Sequence, residues 1–279
     1  MTAPMRHRST VVALTGAAAL SLLAACAPTT QSAKVPELRP GIPAGYLPAE
    51  ARPDSLALLP PPPAADSAAF ALDKDTARQA QTGFARPDSP RWKQAQLDAD
   101  LQFPAAAGTF SCALNAPISE AQTPHLYMLL RRTLVDAGLS TYRAKDYYKR
   151  TRPFVATSTP LCTPSHDAEL RKDGSYPSGH STAGWAWALV LTEVAPERQN
   201  AILARGLAFG DSRVACNAHW QSDVNGGRIM AAATVARLQS DPGFQADLAA
   251  AREEVQAVRA KGLPPNRDCA AEAAALAPK

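Results

Sequence analysis

The spacing of apolar residues is the feature that most constrains the fold of this chain. From about residue 66 to residue 260, apolar side chains recur at three- and four-residue steps, the period of a helix that buries one face. Alternating segments rich in Val, Ile and Thr and joined by hairpin turns do not occur, which disfavours a sheet-based fold. We therefore predict an all-α fold, a single helical-bundle domain over residues 66–262. Caps and breakers predict helices at 66–81, 89–102, 119–137, 141–150, 181–194, 196–211, 219–240 and 242–260.

The segments on either side of this domain differ in composition. Ten prolines fall between Pro28 and Pro63 without a sustained hydrophobic period, so residues 27–65 are predicted to form a proline-rich linker. Packing of the end of this linker on the domain is the alternative. Residues 263–279 are predicted to form a C-terminal tail, held at most by Cys269.

The first 26 residues have the pattern of an export signal. Arg6 and Arg8 precede an uncharged apolar run over residues 10–23, which is too short to span a bilayer comfortably. The sequence Leu-Ala-Ala-Cys ending at Cys26 resembles a bacterial lipobox, which implies cleavage before Cys26 and lipidation of its thiol. Ordinary signal cleavage nearby is the alternative. We expect a periplasmic protein, tethered to the outer membrane as a lipoprotein or otherwise soluble in the periplasm.

The remaining cysteines suggest disulfides. An oxidising compartment and an even number of cysteines are compatible with two bridges, in any of three connectivities, while buried free thiols are the alternative. Cysteines and histidines do not cluster with zinc spacing, so we predict neither a structural metal nor a cofactor. The net charge of +4 is spread along the chain, which predicts no nucleic-acid partner. The disulfide candidates are Cys112, Cys162, Cys216 and Cys269.

Three short blocks between Lys145 and Asp223 contain the candidate chemistry. In the first, Lys145 and Arg152 are seven residues apart, so a helix through both would place them on nearly the same side, able to converge on one anion. Arginine suits bidentate contact with phosphate, and lysine adds a compact charge. Taken alone, such a pair is an ordinary solvated helix face. Pro153 is expected to end this helix.

The second block combines a helix start with a histidine. Ser178 and Gly179 directly precede the apolar stretch 181–194, and Ser178 is a favourable N-cap. Free N–H groups at a helix N-terminus bind anions, and Gly179 allows close backbone approach. His180 would stand at that anion site, able to donate a proton, although a lone histidine there is more often structural.

The third block combines a cation with an oriented histidine. Arg213 is a further phosphate ligand candidate. His219 and Asp223 are four residues apart, so on a helix the carboxylate could hold one imidazole nitrogen and leave the other bare for attack. Such a pair is by itself a common surface contact. Together, the three blocks supply what metal-free phosphoryl transfer requires: cations, a helix N-terminus, a nucleophile and an acid.

The blocks K-x6-R-P, P-S-G-H and S-R-x5-H-x3-D resemble, in this order, the three-part signature of the PAP2 phosphatases and vanadium haloperoxidases. The stretches 89–95, 174–180 and 219–224 are similar to the bacterial class A non-specific acid phosphatases. The resemblance implies a role for each residue of the blocks: a phosphate clamp of Lys145, Arg152 and Arg213, oxyanion contacts at Ser178 and Gly179, a leaving-group acid at His180, and a nucleophile at His219 oriented by Asp223.

The same resemblance implies an all-α, periplasmic, metal-independent acid phosphatase that hydrolyses many phosphate monoesters through a phosphohistidine. It also implies possible phosphotransferase side activity, a homodimer or larger homo-oligomer, and inhibition by vanadate as a phosphate mimic. The alternatives are a vanadium-dependent haloperoxidase and a phosphohydrolase that prefers nucleotides or pyrophosphate. A membrane-embedded lipid phosphatase is disfavoured, because no stretch after Cys26 approaches the roughly 20 apolar residues of a spanning helix.

Overall fold

Helices form most of the protein in a computed structural model that describes residues 1–2 and 35–277. A small antiparallel hairpin of β1 (Glu37–Arg39) and β2 (Ile42–Pro43) precedes them. The all-α prediction is thereby confirmed. The helices are α1 (Ser55–Leu58), α2 (Ala68–Thr82), α3 (Pro90–Asp98), α4 (Ser111–Leu114), α5 (Pro124–Leu139), α6 (Tyr142–Tyr148), α7 (Pro153–Thr157), α8 (Asp167–Leu170), α9 (Gly179–Val194), α10 (Gln199–Ala215), α11 (Gln221–Leu238), α12 (Pro242–Ala260) and α13 (Cys269–Leu276).

Helix α9 lies at the centre and packs against α5, α10, α11 and α12. Apart from His180 and Glu193, near its two ends, its residues are apolar or small on every face, as expected of a helix surrounded by others. Trp187 is buried and donates its indole N–H to the carbonyl of Leu130, 2.9 Å away. A Cβ at Gly184 would lie 2.1 Å from a ring carbon of Phe209, so glycine is what lets α10 approach α9 here.

The segment predicted as a linker packs on the helices from Val35 onward. Tyr46 and Leu47 are buried in the main core, and their backbone N–H groups donate to Asp136 of α5 at 2.7 and 3.2 Å. Residues from Val35 onward belong to one compact unit. The linker prediction therefore does not hold from Val35 to residue 65, and the alternative of packing applies. A proline-rich segment packs through a few isolated apolar anchors, which leave no period in the sequence.

The C-terminal residues also pack rather than forming a free tail. Cys269 at the start of α13 is bonded to Cys112 of α4. Glu272, one turn further, accepts a hydrogen bond from Nε of the buried Arg205 at 3.1 Å. The tail prediction therefore fails over α13, where an alanine-rich sequence had suggested no anchor other than the cysteine.

The second disulfide joins Cys162, in the segment after α7, to Cys216 at the C-terminal end of α10. Of the three connectivities that the sequence left open, the structure has Cys112–Cys269 with Cys162–Cys216. The Cys162–Cys216 bridge fixes the chain three residues before His219, next to the candidate site.

The predicted signal, apart from its first two residues, and Cys26 with its lipobox lie outside the described residues. Within the part of the chain that the structure describes, no helix is both long enough and apolar enough to cross a membrane. Export of the chain and lipidation of Cys26 thus stay predictions.

Candidate active site

Lys145 and Arg152 converge, but not as neighbours on one helix. Helix α6 ends at Tyr148, because Lys149 adopts a left-handed conformation (φ 42°), and Pro153 begins α7 instead of ending α6. Arg152 is the N-cap residue of α7. The carboxylate Oδ2 of Asp173 nevertheless lies 3.1 Å from Lys145 Nζ and 2.8 Å from Arg152 Nη2. The prediction of convergence is correct and its helical reason is wrong.

Arg213, in the last turn of α10, supplies the third cation. Its side chain is buried, and Nε and Nη1 have no hydrogen-bond partner among the residues the structure describes. Burial, followed by the charge of Arg152, lowers the pKa of Arg213 to about 9. Burial and Arg152 likewise lower the pKa of Lys145 to about 8, which Asp173 opposes. A buried guanidinium without acceptors, such as that of Arg213, is costly in free energy unless an anion joins it.

The start of α9 presents its first turn to these cations. Ser178 is the N-cap residue, and its hydroxyl oxygen accepts from the N–H of Ser181 at 3.2 Å. A Cβ placed on Gly179 would lie 3.9 Å from Cε of Lys145, so this backbone runs beside the clamp. The N–H groups of Gly179 and His180 belong to the first turn, where a helix offers no carbonyl acceptor. This turn can therefore donate to an anion held by the clamp.

One predicted contact in this turn does not fit the structure. The backbone N–H of Ser178 donates to the carbonyl of Asp223 at 3.0 Å, which links the starts of α9 and α11. That amide is therefore committed and is not free to bind phosphate, contrary to the expectation from the signature. The hydroxyl proton of Ser178 remains available, because its oxygen accepts from both the N–H and the hydroxyl of Ser181.

His219 is a buried imidazole with one nitrogen facing a cation. Its Nε2 lies 2.9 Å from Nη1 of Arg152, and since a guanidinium only donates, Nε2 is the acceptor and carries no proton. Burial, followed by the charges of Arg152 and Lys145, lowers the pKa of His219 well below its usual value. The imidazole is thus neutral, protonated on Nδ1, with the basic nitrogen Nε2 directed at the clamp.

Asp223 lies on the other side of this ring. Its Oδ2 is 3.5 Å from Nδ1 of His219, which is longer than a good hydrogen bond. Helix α11 begins at Gln221, after His219, and Oδ2 also accepts the N–H of the N-cap residue Trp220 at 2.8 Å. The pair therefore meets across a helix start, not along a helix face as predicted, and Asp223 both caps α11 and faces the imidazole.

Asp223 belongs to a buried charged network that sequence reasoning missed. Arg150 donates from Nη1 to Oδ1 of Asp223 at 2.6 Å and from Nη2 to Oδ2 of Asp73 at 2.9 Å. Asp73, on α2, also accepts the N–H of Ser222 at 2.9 Å. The hydroxyl of Ser175 donates to Asp223 as well. Arg150 stands inside the first block, which was a usable signal, whereas nothing near Asp73 in the sequence marks it.

His180 has a simpler environment. Its Nε2 lies 3.0 Å from the carbonyl of Ala99, the C-cap residue of α3, and because a carbonyl only accepts, Nε2 carries the proton. Nδ1 is then the nitrogen left to exchange a proton. Burial, followed by the charge of Arg213, lowers the pKa of His180 well below its usual value. The pKa values of the two histidines are therefore shifted in the same direction.

Two further observations describe the surroundings of the site. A cavity of about 350 Å³ borders Lys145 and Arg152 and is lined on its other side by residues 170–174, while the two histidines do not line it. Among the described residues, no group of three or more His, Cys, Asp or Glu side chains could hold a metal ion. The cations of the clamp are the groups at this site that favour an anion.

Comparison with known proteins places this geometry in a family. Residues 124–241, which include every residue of the three blocks, match the model of the PAP2 superfamily. A non-specific acid phosphatase of Salmonella typhimurium is 47% identical over 198 residues, 71% of this chain and 78% of the relative. One of Providencia stuartii is 46% identical over 202 residues, 72% and 80% of the two chains. An acid phosphatase of Zymomonas mobilis is 40% identical over 213 residues, 76% and 80%.

These matches confirm the resemblance that the three blocks indicated. The aligned length covers most of each relative, so the likeness extends well beyond the signature residues. The chain therefore belongs to the PAP2 superfamily.

Proposed function

We propose that this protein is a non-specific acid phosphatase that hydrolyses phosphate monoesters through a phosphohistidine formed on His219. The observation that carries the proposal is the bare Nε2 of a neutral, buried imidazole, held 2.9 Å from one of three clustered cations. A neutral imidazole is a competent nucleophile, and cations aimed at the transferring group stabilise its charge without reorganisation. The names of the relatives support the acid phosphatase activity.

The phosphoryl oxygens would bind to the clamp and to the start of α9. Lys145, Arg152 and Arg213 supply positive charge, and Arg213 has two nitrogens without a partner among the described residues. The hydroxyl of Ser178 and the N–H groups of Gly179 and His180 complete the set of donors, as helix N-termini do for phosphates elsewhere. On binding, Nη1 of Arg152 would release Nε2 of His219 for the phosphorus.

In the first step, the lone pair of Nε2 attacks the phosphorus in line with the ester oxygen. The N–P bond forms as the P–O bond to the leaving group breaks, and Nδ1 of His180 gives its proton to the departing oxygen. Burial lowers the pKa of His180 in the free protein. The charge of a bound phosphate dianion opposes this shift and favours the protonated form needed here.

In the second step, Nδ1 of His180 takes a proton from water as the water oxygen attacks the phosphohistidine. The P–N bond breaks, inorganic phosphate forms, and Nε2 of His219 regains its lone pair. Asp223 faces Nδ1 of His219 throughout and stabilises the positive charge that the ring acquires on phosphorylation. An alcohol in place of water would give the transferred ester, which is the proposed phosphotransferase side activity.

The decisive experiment is to trap the intermediate. Acid-labile, base-stable label from a radioactive phosphate monoester should appear on the peptide that contains His219 after rapid quenching. His219→Ala should abolish this label and lower kcat at least about 10³-fold, since the nucleophile is lost. His125→Ala, which removes an exposed histidine outside the blocks, is the control and should behave as the wild type. Normal turnover by His219→Ala would refute the mechanism.

Vanadate separates the phosphatase from the haloperoxidase alternative. A trigonal-bipyramidal vanadate would bind the same cations and the same Nε2, so we expect it to inhibit hydrolysis of p-nitrophenyl phosphate competitively. Bromide oxidation by the vanadate-loaded protein with peroxide, exceeding its phosphatase turnover, would favour the alternative. A panel of nucleotides, sugar phosphates and pyrophosphate then measures whether one substrate class is preferred.

We also propose that the mature protein is a periplasmic lipoprotein anchored through Cys26. The support is the lipobox sequence alone. Metabolic labelling with a radioactive fatty acid should mark the wild type in the outer-membrane fraction, and Cys26→Ser should lose the label and become soluble. Fatty-acid label on Cys26→Ser, or no label on the wild type, would contradict the proposal that Cys26 carries a lipid anchor.

A further inference from the structure

Asp173 places an anion where the proposed function requires the substrate to bind. Its Oδ2 lies between Nζ of Lys145, at 3.1 Å, and Nη2 of Arg152, at 2.8 Å. These are the distances of charge-assisted hydrogen bonds. A phosphoryl oxygen that contacts the same two atoms needs the same space, so carboxylate and phosphate exclude each other.

The carboxylate reaches the clamp from the solvent side. The side chain of Asp173 is 33% exposed, whereas those of Lys145 and Arg152 are 5% and 2% exposed. Asp173 is therefore the member of this cluster that can leave for water at the smallest cost in desolvation. The two cations cannot follow it, because their side chains are enclosed by the protein.

The residues that carry Asp173 are loosely held on one side and firmly on the other. No residue of α8, which precedes it, is buried. After it, the N–H of Ser175 donates to the carbonyl of Arg150 at 2.9 Å, and a Cβ at Gly174 would lie 2.5 Å from the carbonyl oxygen of Lys145. Exposed segments with few buried contacts open at low free energy. Residues 170–173 can thus swing about Gly174 while the block that follows stays in place, with loss of the hydrogen bonds that the carbonyls of Leu170 and Asp173 accept from Arg152.

The contacts of residues 170–174 explain how they cover the clamp. Nε of Arg152 donates to the carbonyls of Leu170 and Asp173 at 2.9 and 3.1 Å, and Nζ of Lys145 donates to that of Gly174 at 2.6 Å. The cavity of about 350 Å³ lies between this segment and the two cations. His219 behind them is only 1% exposed. A phosphate in this cavity therefore cannot reach Nε2 unless the surrounding residues move.

Resting on the proposed function, we propose that Asp173 is an internal competitor of phosphate, and that residues 170–174 form a gate which opens when a phosphoryl group displaces its carboxylate from Lys145 and Arg152. The carboxylate neutralises buried cations in the free protein, which lowers the cost of keeping them together. The same contact weakens phosphate binding and helps to expel the product. Asp173 thus sets the affinity of the clamp without touching the reacting atoms.

Direct binding of inorganic phosphate tests this without turnover. Titration calorimetry on Asp173→Asn should show phosphate bound about 5- to 20-fold more tightly than by the wild type. The reason is that phosphate no longer has to displace a carboxylate from Lys145 and Arg152. Asp167→Asn is the matched control, since it removes an exposed carboxylate from α8 that pairs with Arg171. Its phosphate affinity should equal that of the wild type.

Thermal unfolding shows whether the variant is folded and gives a second readout. Without phosphate, the Tm of Asp173→Asn should fall, because two buried cations lose their partner. Added phosphate should raise this Tm more than that of the wild type. Asp173→Ser, which cannot accept at the same distance, should behave in the same way.

Unchanged or weaker phosphate binding by both folded variants would overturn the proposal. If neither the wild type nor any variant binds phosphate, the phosphate site itself is refuted, which is a failure of the proposed function and not of the gate alone. If Asp173→Asn and Asp167→Asn both bind phosphate more tightly, and by the same factor, the effect comes from the change in net charge. That result would also overturn the proposal.

Discussion

His219 and His180 lie in the same site and differ in what holds them. His219 is buried and His180 is half-buried, and the pKa of each is lowered. His219 faces Asp223, which Arg150 joins to Asp73 of α2, so its surroundings are charged and built from distant parts of the chain. His180 is oriented by one backbone carbonyl, that of Ala99. In the proposed mechanism, His219 becomes cationic on phosphorylation and needs a nearby negative charge, whereas His180 must give up its proton and does not.

The largest expected effect on kcat comes from Asp223, in the charged surroundings of His219. Asp223→Asn should lower kcat about 10²- to 10⁴-fold, because an amide neither stabilises the phosphorylated ring nor fixes the proton on Nδ1. Rapid-quench measurement of phosphoenzyme formation checks this. Asp211→Asn, which removes a half-exposed carboxylate paired with Arg228, should leave kcat unchanged. Near-normal phosphorylation by Asp223→Asn would mean that the two histidines do not differ in this way.

Leaving-group dependence should set His180 apart from His219. His180→Ala should lose about 10²-fold or more in kcat/KM for alkyl phosphates but much less for p-nitrophenyl phosphate, whose leaving group needs little protonation. His219→Ala should lose activity on both substrates. The comparison is made within each variant, so a general loss of folding cannot imitate it. Equal losses for both esters in His180→Ala would remove its role as the acid.

The pH profile should show which charge limits binding. Because the pKa of Lys145 is lowered to about 8, its ammonium is charged below that pH and lost above it. We expect kcat/KM to fall above about pH 8, approaching tenfold per unit. Lys145→Arg should move this limb to higher pH, even if its activity is lower, because a guanidinium keeps its proton. If kcat/KM of Lys145→Arg falls at the same pH as that of the wild type, a group other than Lys145 causes the fall.

The smallest effect should come from the far end of the network. Asp73→Asn should lower kcat about 3- to 10-fold with little change in KM, because Arg150 loses one of its two carboxylate partners and orients Asp223 less well. Asp75→Asn, on the exposed face of the same helix, is the control. In a double-mutant cycle with Asp223→Asn, the two effects should be less than additive. Full additivity of the two effects on kcat would show that Asp73 does not act on His219 through Asp223.

These residues show how far the sequence could predict the site. The three blocks identified the cations and both histidines, because phosphoryl transfer restricts which side chains can serve and the signature keeps their order. The partners that position them were missed: Arg150, Asp73, Asp173 and the carbonyl of Ala99. Each is brought to the site by folding and not by spacing along the chain. Every residue has a backbone carbonyl, so the sequence cannot indicate which one will contact His180.

The helices were predicted well where local signals decide. Helix α12 occupies the predicted range, with Pro242 in its first turn and Asp241 accepting the N–H of Phe244 at 2.8 Å. The helix expected over 141–150 stops early, at Tyr148, where Lys149 adopts a left-handed conformation that lysine does not favour by itself. A residue-by-residue pattern cannot anticipate such a stop.

By itself, the sequence determined the all-α class and the main helices and indicated the chemistry that we propose for the three blocks, because helical periodicity, caps and reactive side chains are local properties. Only the tertiary structure decided the rest. It turned Lys145 and Arg152 toward one carboxylate from two different helices, committed the amide of Ser178 to Asp223, and packed Tyr46 and α13 on the bundle. These contacts join residues far apart in the chain, and their free energy depends on burial that no single segment can provide alone.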